Sequence, residues 1–144
     1  MFKQILIPVD LTREEKMPGL LMIAQSLAGN EKATVHLLYV DESLMHDSSF
    51  PCLDEEQLAE HKKVAEEKMA ELMRAMPSSL KGMSHSRQGI AHDVILDSAA
   101  KLGIDAIIMA ARRPGLRNYF IGTNSERVVR HADCSVFVVR GSDQ

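Results

Sequence analysis

Four short apolar runs constrain this chain more than anything else in it. Ile5-Leu6-Ile7-Pro8-Val9, Ala33 to Val40, Ala106 to Ala111 and Val136 to Val139 are dense in β-branched and aliphatic residues. Runs of that length and makeup read as strands covered on both faces, because a strand with one wet face alternates instead. Between them, apolar residues recur at helical spacing. Met17, Leu20, Leu21, Ala24, Leu27 and Ala28 form one stripe, with Pro18 in its first turn and Gly29-Asn30 as its stop. Leu58, Ala65, Met69, Leu72 and Met76 form a second; Asp54 and Gln57 open it as a capping box and Pro77 closes it. This Met-rich face reads as a core-facing stripe rather than a partner groove. Ala91, Val94, Ile95, Ser98, Ala99 and Leu102 form a third, ended by Gly103. Met83 to Gln88 is short and polar, as suits a strand at a sheet edge. The resulting order, β-α-β-α-β-α-β-α-β, predicts an α/β fold, a parallel sheet with helices on both faces. At 144 residues without an internal repeat, residues 1–144 read as a single domain.

Charge and cysteine usage narrow the function classes. A net charge of −3 gives no electrostatic footprint for nucleic acid. No apolar run has the length needed to cross a bilayer, and Met1 to Val9 is too short for a signal peptide before Asp10 interrupts it. Cys52 and Cys134 make no disulfide framework, so a cytoplasmic protein with reduced thiols is expected. The histidines show no ligand spacing on one element, and a zinc site is not expected. Cys134 precedes a strand and reads as buried and inert.

In doubly wound sheets a ligand lies outside the carboxyl ends of the strands, where strand order reverses. If the first and fourth strands flank that point, Asp10, Val40 and the loop after Met109 converge there. That loop is basic, carrying Arg112, Arg113 and Arg117, and it leads to Gly122-Thr123-Asn124-Ser125 at a helix start. Unpaired N–H groups and the positive dipole end make such a start a cradle for phosphate. Each feature also has a plainer account. Asp10 caps a turn; Thr123 and Glu126 form a capping box, T-x-x-E; the arginines are a solvated loop. There is no P-loop, no lysine placed against a γ-phosphate and no carboxylate pair for magnesium, so fast hydrolysis is not expected and no catalytic residue is assigned.

The pieces I-L-I-P-V-D at 5–10, H-L-L-Y-V at 36–40, G-I-A-H-D-V-I at 89–95 and G-T-N-S-E-R-V-V-R-H-A-D-C-S-V-F-V-V-R at 122–140 resemble the universal stress protein family over essentially the whole chain. The likeness is greatest to its F/G-type subgroup, with an Arg-Pro or Asn-Pro nucleotide loop. It implies a Rossmann-like, adenine nucleotide alpha hydrolase-like sheet of five parallel strands in the order 3-2-1-4-5. It further implies ATP, ADP or AMP as ligand, with or without magnesium. Asp10 and the backbone of Val40 would hold adenine, Ala110 and its neighbours would lie along the ribose, and Gly122, Thr123 and Asn124 would meet the phosphates, with Pro8, Val9, Met109, Arg112, Arg113 and Ser125 completing the nucleotide-binding set. The family's Gly-x-x-Gly, nine-residue gap, Gly-Ser/Thr pattern is altered here. Ala110 and Arg113 replace the two glycines, and the gap is one residue shorter. Arg113 either adds a charged donor or fills the phosphate space itself. The resemblance implies a regulatory or sensing homodimer joined through strand 135–140, with at most slow hydrolysis or autophosphorylation, and a partner surface in the 41–53 loop. The alternatives are an interaction module that has lost nucleotide binding, and an adenylate-transfer enzyme, for which no His-x-x-His element follows Asp10.

Overall fold

The structure is a computed structural model in which residues 1–42, 54–111 and 123–140 are described. The elements run β1 (Gln4–Pro8), a short 3-10 turn (Glu14–Lys16), α1 (Met17–Ala28), β2 (Thr34–Asp41), α2 (Glu55–Arg74), β3 (Lys81–Gln88), α3 (Ala91–Lys101), β4 (Ala106–Ala110), α4 (Thr123–His131) and β5 (Ser135–Val139). All pairings are parallel, and the sheet order is β3-β2-β1-β4-β5. Strand order therefore reverses between β1 and β4, as the α/β reading requires.

The central strands are apolar in both directions because both faces are covered. Ile5, Ile7, Val35, Leu37, Ala106 and Ile108 pack under α1 and α2 with Leu20, Leu21, Ala24 and Met69. Leu6, Leu38 and Ile107 turn the other way, onto Val94, Ile95 and Ala99 of α3 and Val128 of α4. The Met-rich stripe of α2 is a core face: Ala65 and Met69 are buried, and Leu72 and Met76 pack against the same cluster. The polar β3 and the half-buried β5 occupy the two edges, where one row of backbone groups needs no strand partner.

Local signals set most boundaries. The Asp54–Gln57 capping box forms in both directions, Gln57 N–H donating to Asp54 Oδ1 at 2.7 Å and Asp54 N–H to Gln57 Oε1 at 3.0 Å. Gly29 closes α1 at φ 67°, where a side chain is disfavoured. Gly89, at φ 144° between β3 and α3, is held more tightly: a Cβ there would lie 2.7 Å from Val94 Cγ2. α2 ends at Arg74, ahead of the stop expected at Pro77. The proline disfavours helical geometry in the residue before it, and the last turn is lost with it.

One buried polar chain was not anticipated. His36, 4% exposed in β2, places Nδ1 2.9 Å from His85 Nε2 of β3. Its Nε2 donates to Gln4 Oε1 at 2.8 Å. In the neutral form His36 Nδ1 accepts from His85, and a second added proton on the pair leaves two N–H groups facing each other. Burial lowers the pKa of both imidazoles below the ordinary 6.5, and His85 lowers that of His36 further. The unfolded chain thus takes up protons near pH 6.5 that the folded chain refuses. Stability is full above that pH and is lost as pH falls towards the folded values. Urea midpoints at pH 8 and pH 5.5 should show the drop, and His36→Gln should flatten it.

Candidate functional site

β1 and β2 end together. Val9 N–H, just past β1, donates to Leu38 O at 2.8 Å. Leu38 O therefore faces β1, and the two-residue repeat of a strand turns the N–H and C=O of Val40 to the same side, beyond the point where β1 has left the sheet. Asp10 begins the connection to α1. Its Oδ1 accepts from Thr12 N–H at 2.9 Å and from the Thr12 hydroxyl, and Arg13 N–H donates to its carbonyl at 3.0 Å. The turn-capping account of Asp10 is thus realised. It uses one carboxylate oxygen; Oδ2 has no protein partner among the described residues.

On the other side of β1, β4 delivers buried Met109 and half-buried Ala110 to the same end of the sheet. Thr123, Asn124 and Ser125 form the first turn of α4 and open towards it. Together these ends enclose a cavity of about 610 Å³. Pro8, Val9, Asp10, Val40, Met109, Ala110, Thr123, Asn124 and Ser125 all line it, so nine predicted site residues from four elements share one wall. Arg112, Arg113 and Gly122 lie outside the described residues, as do Arg117, Cys52 and nearly all of the 41–53 loop.

The capping box expected at Thr123 is not made. Thr123 is the first helical residue, and Glu126 reaches forward one turn to Arg130, 3.2 Å away. An acidic side chain at this helix start thereby points along the exposed flank. Ser125 is 4% exposed and lines the cavity, yet its hydroxyl has no hydrogen-bond partner among the described residues. A buried hydroxyl is seldom left so.

Several lining residues carry no local sequence signal for a site. Arg13 crosses from the β1 connection to β4, its Nη2 donating to Ala111 O at 3.1 Å. The α2 helix closes the cavity with His61, Val64, Ala65 and Lys68, spaced to share one face. His61 Nε2 lies 3.1 Å from the Tyr39 hydroxyl and 3.7 Å from Asp41 Oδ1, fastening α2 to the end of β2. Burial, with the Asp41 charge nearby, raises the Tyr39 pKa and keeps its proton in place. Glu42 Oε1 accepts from Ala91 N–H at 2.7 Å and caps α3 from across the cavity. The 61/64/65/68 spacing was legible, but nothing local says which sheet end such a face covers. Away from the cavity, half-buried Cys134 has its thiol pKa raised by burial, in keeping with an unreactive group.

Among the described residues no group of three His, Cys, Asp or Glu side chains could hold a metal ion, and no helix is long and apolar enough to cross a membrane. A profile of the Universal stress protein family matches residues 1–140. Universal stress protein G of Escherichia coli O157:H7 is 31% identical over 147 residues, covering 97% of this chain and 100% of that protein. The solved structure of hypothetical protein MJ0577 superposes with a TM-score of 0.76 at 25% identity, covering 100% of this chain and 99% of that one. The universal stress protein of Archaeoglobus fulgidus, solved in complex with dAMP, superposes with a TM-score of 0.68 at 17% identity, covering 95% and 97%. At that identity the likeness is one of fold.

Proposed function

The chain belongs to the universal stress protein family, and from that premise we propose that it binds an adenine nucleotide, ATP or ADP, in the cavity at the carboxyl ends of β1, β2 and β4. One observation carries this reading. Nine residues from four elements far apart in sequence meet on the wall of one cavity of about 610 Å³, a volume within the usual range for small-molecule sites. The chemistry of the wall agrees. The Val40 amide offers a donor and an acceptor to the edge of a planar base, Asp10 Oδ2 is open to a base or ribose donor, and the first turn of α4 presents N–H groups to phosphate.

The proposed role is regulatory: ligand held by the folded chain stabilises it. A ligand at one hundred times its dissociation constant adds about 2.7 kcal/mol. At roughly 2–4 °C per kcal/mol for a domain near this size, the melting temperature then rises by several degrees. Two measurements test the proposal. Protein purified without added nucleotide, then denatured, should release ATP or ADP near one per chain on anion-exchange chromatography. Millimolar ATP should raise the melting temperature. No released nucleotide, no thermal shift and no calorimetric heat would sink the reading.

The same premise extends to assembly. Among the described residues the outer edge of β5 has no strand partner, and Val136, Phe137, Val138 and Val139 are only half buried. A second copy pairing there would cover both the open backbone edge and the apolar side chains. Sedimentation should give twice the 16.0 kDa chain mass, and a monomer at high concentration would rule the homodimer out.

A further inference from the structure

We propose that Arg13 and Lys68 are the phosphate-reading cations of the cavity and that they select a nucleotide carrying two or three phosphates over a nucleoside. The inference rests on the nucleotide reading above and gives two residues that reading left unassigned a role in it.

Arg13 leaves the connection after β1 and lays its guanidinium across the sheet end to Ala111, the residue immediately past β4. A guanidinium has five N–H donors, and the Ala111 carbonyl takes one. The others have no partner among the described residues. The bond to Ala111 fixes the position of the fork without using it up. Lys68 enters from α2 on the cavity-facing stripe. Its ion pair with Glu14 is long, 3.8 Å, and partly exposed, so the ammonium is held near the Arg13 connection by a weak tie. Ser125 supplies a further polar group on the same wall. Its hydroxyl is buried on the wall of the same cavity, in the first turn of α4, with no protein partner among the described residues.

The opposite side of the cavity repels the same ligand group. Glu42, on the cavity wall at the end of β2, already occupies the N-terminus of α3 through the Ala91 N–H. The site is therefore polarised along the sheet edge: the Glu42 carboxylate just past β2, guanidinium and the start of α4 at β4. A neutral base fits the first side, and an anion fits only the second. Charge-assisted hydrogen bonds from a planar fork suit phosphate oxygens, and a nucleoside offers nothing for them to hold.

The test is calorimetric titration of the parent, Arg13→Gln, Arg13→Lys and Lys68→Gln with ATP, adenosine and inorganic tripolyphosphate. The parent should bind ATP at least about tenfold tighter than adenosine, and Arg13→Gln should weaken ATP about tenfold while leaving adenosine within about twofold. Arg13→Lys should recover part of the loss. Lys68→Gln should act in the same direction, more weakly; it bonds no backbone group and stands in if Arg13→Gln fails to fold. Equal weakening of ATP and adenosine by Arg13→Gln overturns the inference and leaves the nucleotide reading intact, as does a parent that binds both equally. Tripolyphosphate bound as tightly as ATP, and lost in Arg13→Gln, keeps the inference and overturns the adenine reading. Silence with all three ligands overturns both.

Discussion

Ile107→Ala is expected to remove about 3–4 kcal/mol of folding stability, a large part of what a small domain has. The side chain is fully buried in β4, between Leu6 of β1 and Val136 of β5 in the ladder. It faces Val94, Ile95 and Ala99 of α3 and Val128 of α4, the helix whose first turn lines the cavity. Removing it takes away the burial energy of the lost carbons and leaves a void, because central strands fixed by neighbours on both sides cannot close in. Val136, half buried in the edge strand, is the contrast: Val136→Ala should cost about 1 kcal/mol or less, since an edge can relax and part of the side chain is already wet. Urea denaturation reads both as shifts in midpoint at unchanged slope. Equal losses at the two positions would mean that the β4 layer is not the rigid support described.

Asp10→Ala should lower affinity for ATP about 10- to 100-fold, the loss of one hydrogen bond to a charged group, and should lower affinity for adenosine by the same factor. This pattern separates Asp10 from Arg13, whose loss is to be felt by ATP alone. The same carboxylate stitches the turn to Thr12, so a structural effect must be told apart from a direct one. Thr12→Val removes the hydroxyl donor but leaves the carboxylate and the backbone N–H to Oδ1. It should keep ATP affinity within about threefold. If Thr12→Val proves as damaging as Asp10→Ala, the aspartate acts by shaping the turn and Oδ2 holds no ligand.

Much of the fold was legible because its signals are local. The unbroken apolar runs at Ile5 and Ala106 announce strands buried on both faces, and the polar Met83 to Gln88 announces an edge. Where the reading fell short, tertiary contacts overrode propensity. β3 begins earlier, at Lys81, although Gly82 is a poor strand residue. Pairing with Thr34 and Val35 holds that segment, and the Gly82 backbone meets the Met73 and Met76 methyls where a Cβ would lie 3.1 Å from each. The T-x-x-E box failed for a related reason. Thr123 is already helical, and Arg130, one turn on, offers Glu126 a charge that the Thr123 backbone does not.

The sequence by itself determined the order of strands and helices and the polar edge at β3, and it pointed to the strand ends and helix start that line one cavity. Periodicity, caps and the position of a residue at the end of a run are properties of a few neighbouring residues, so they can be read along the chain. Only the tertiary structure decided that Arg13 lies on Ala111, 98 residues away, and that His36 is paired with His85. It also decided that α2 closes the cavity with His61 and Lys68. Those contacts join residues whose own neighbourhoods look like ordinary solvated surface or ordinary strand. They exist because parallel pairing in the order β3-β2-β1-β4-β5 brings distant strand ends together, and no local pattern encodes what meets there.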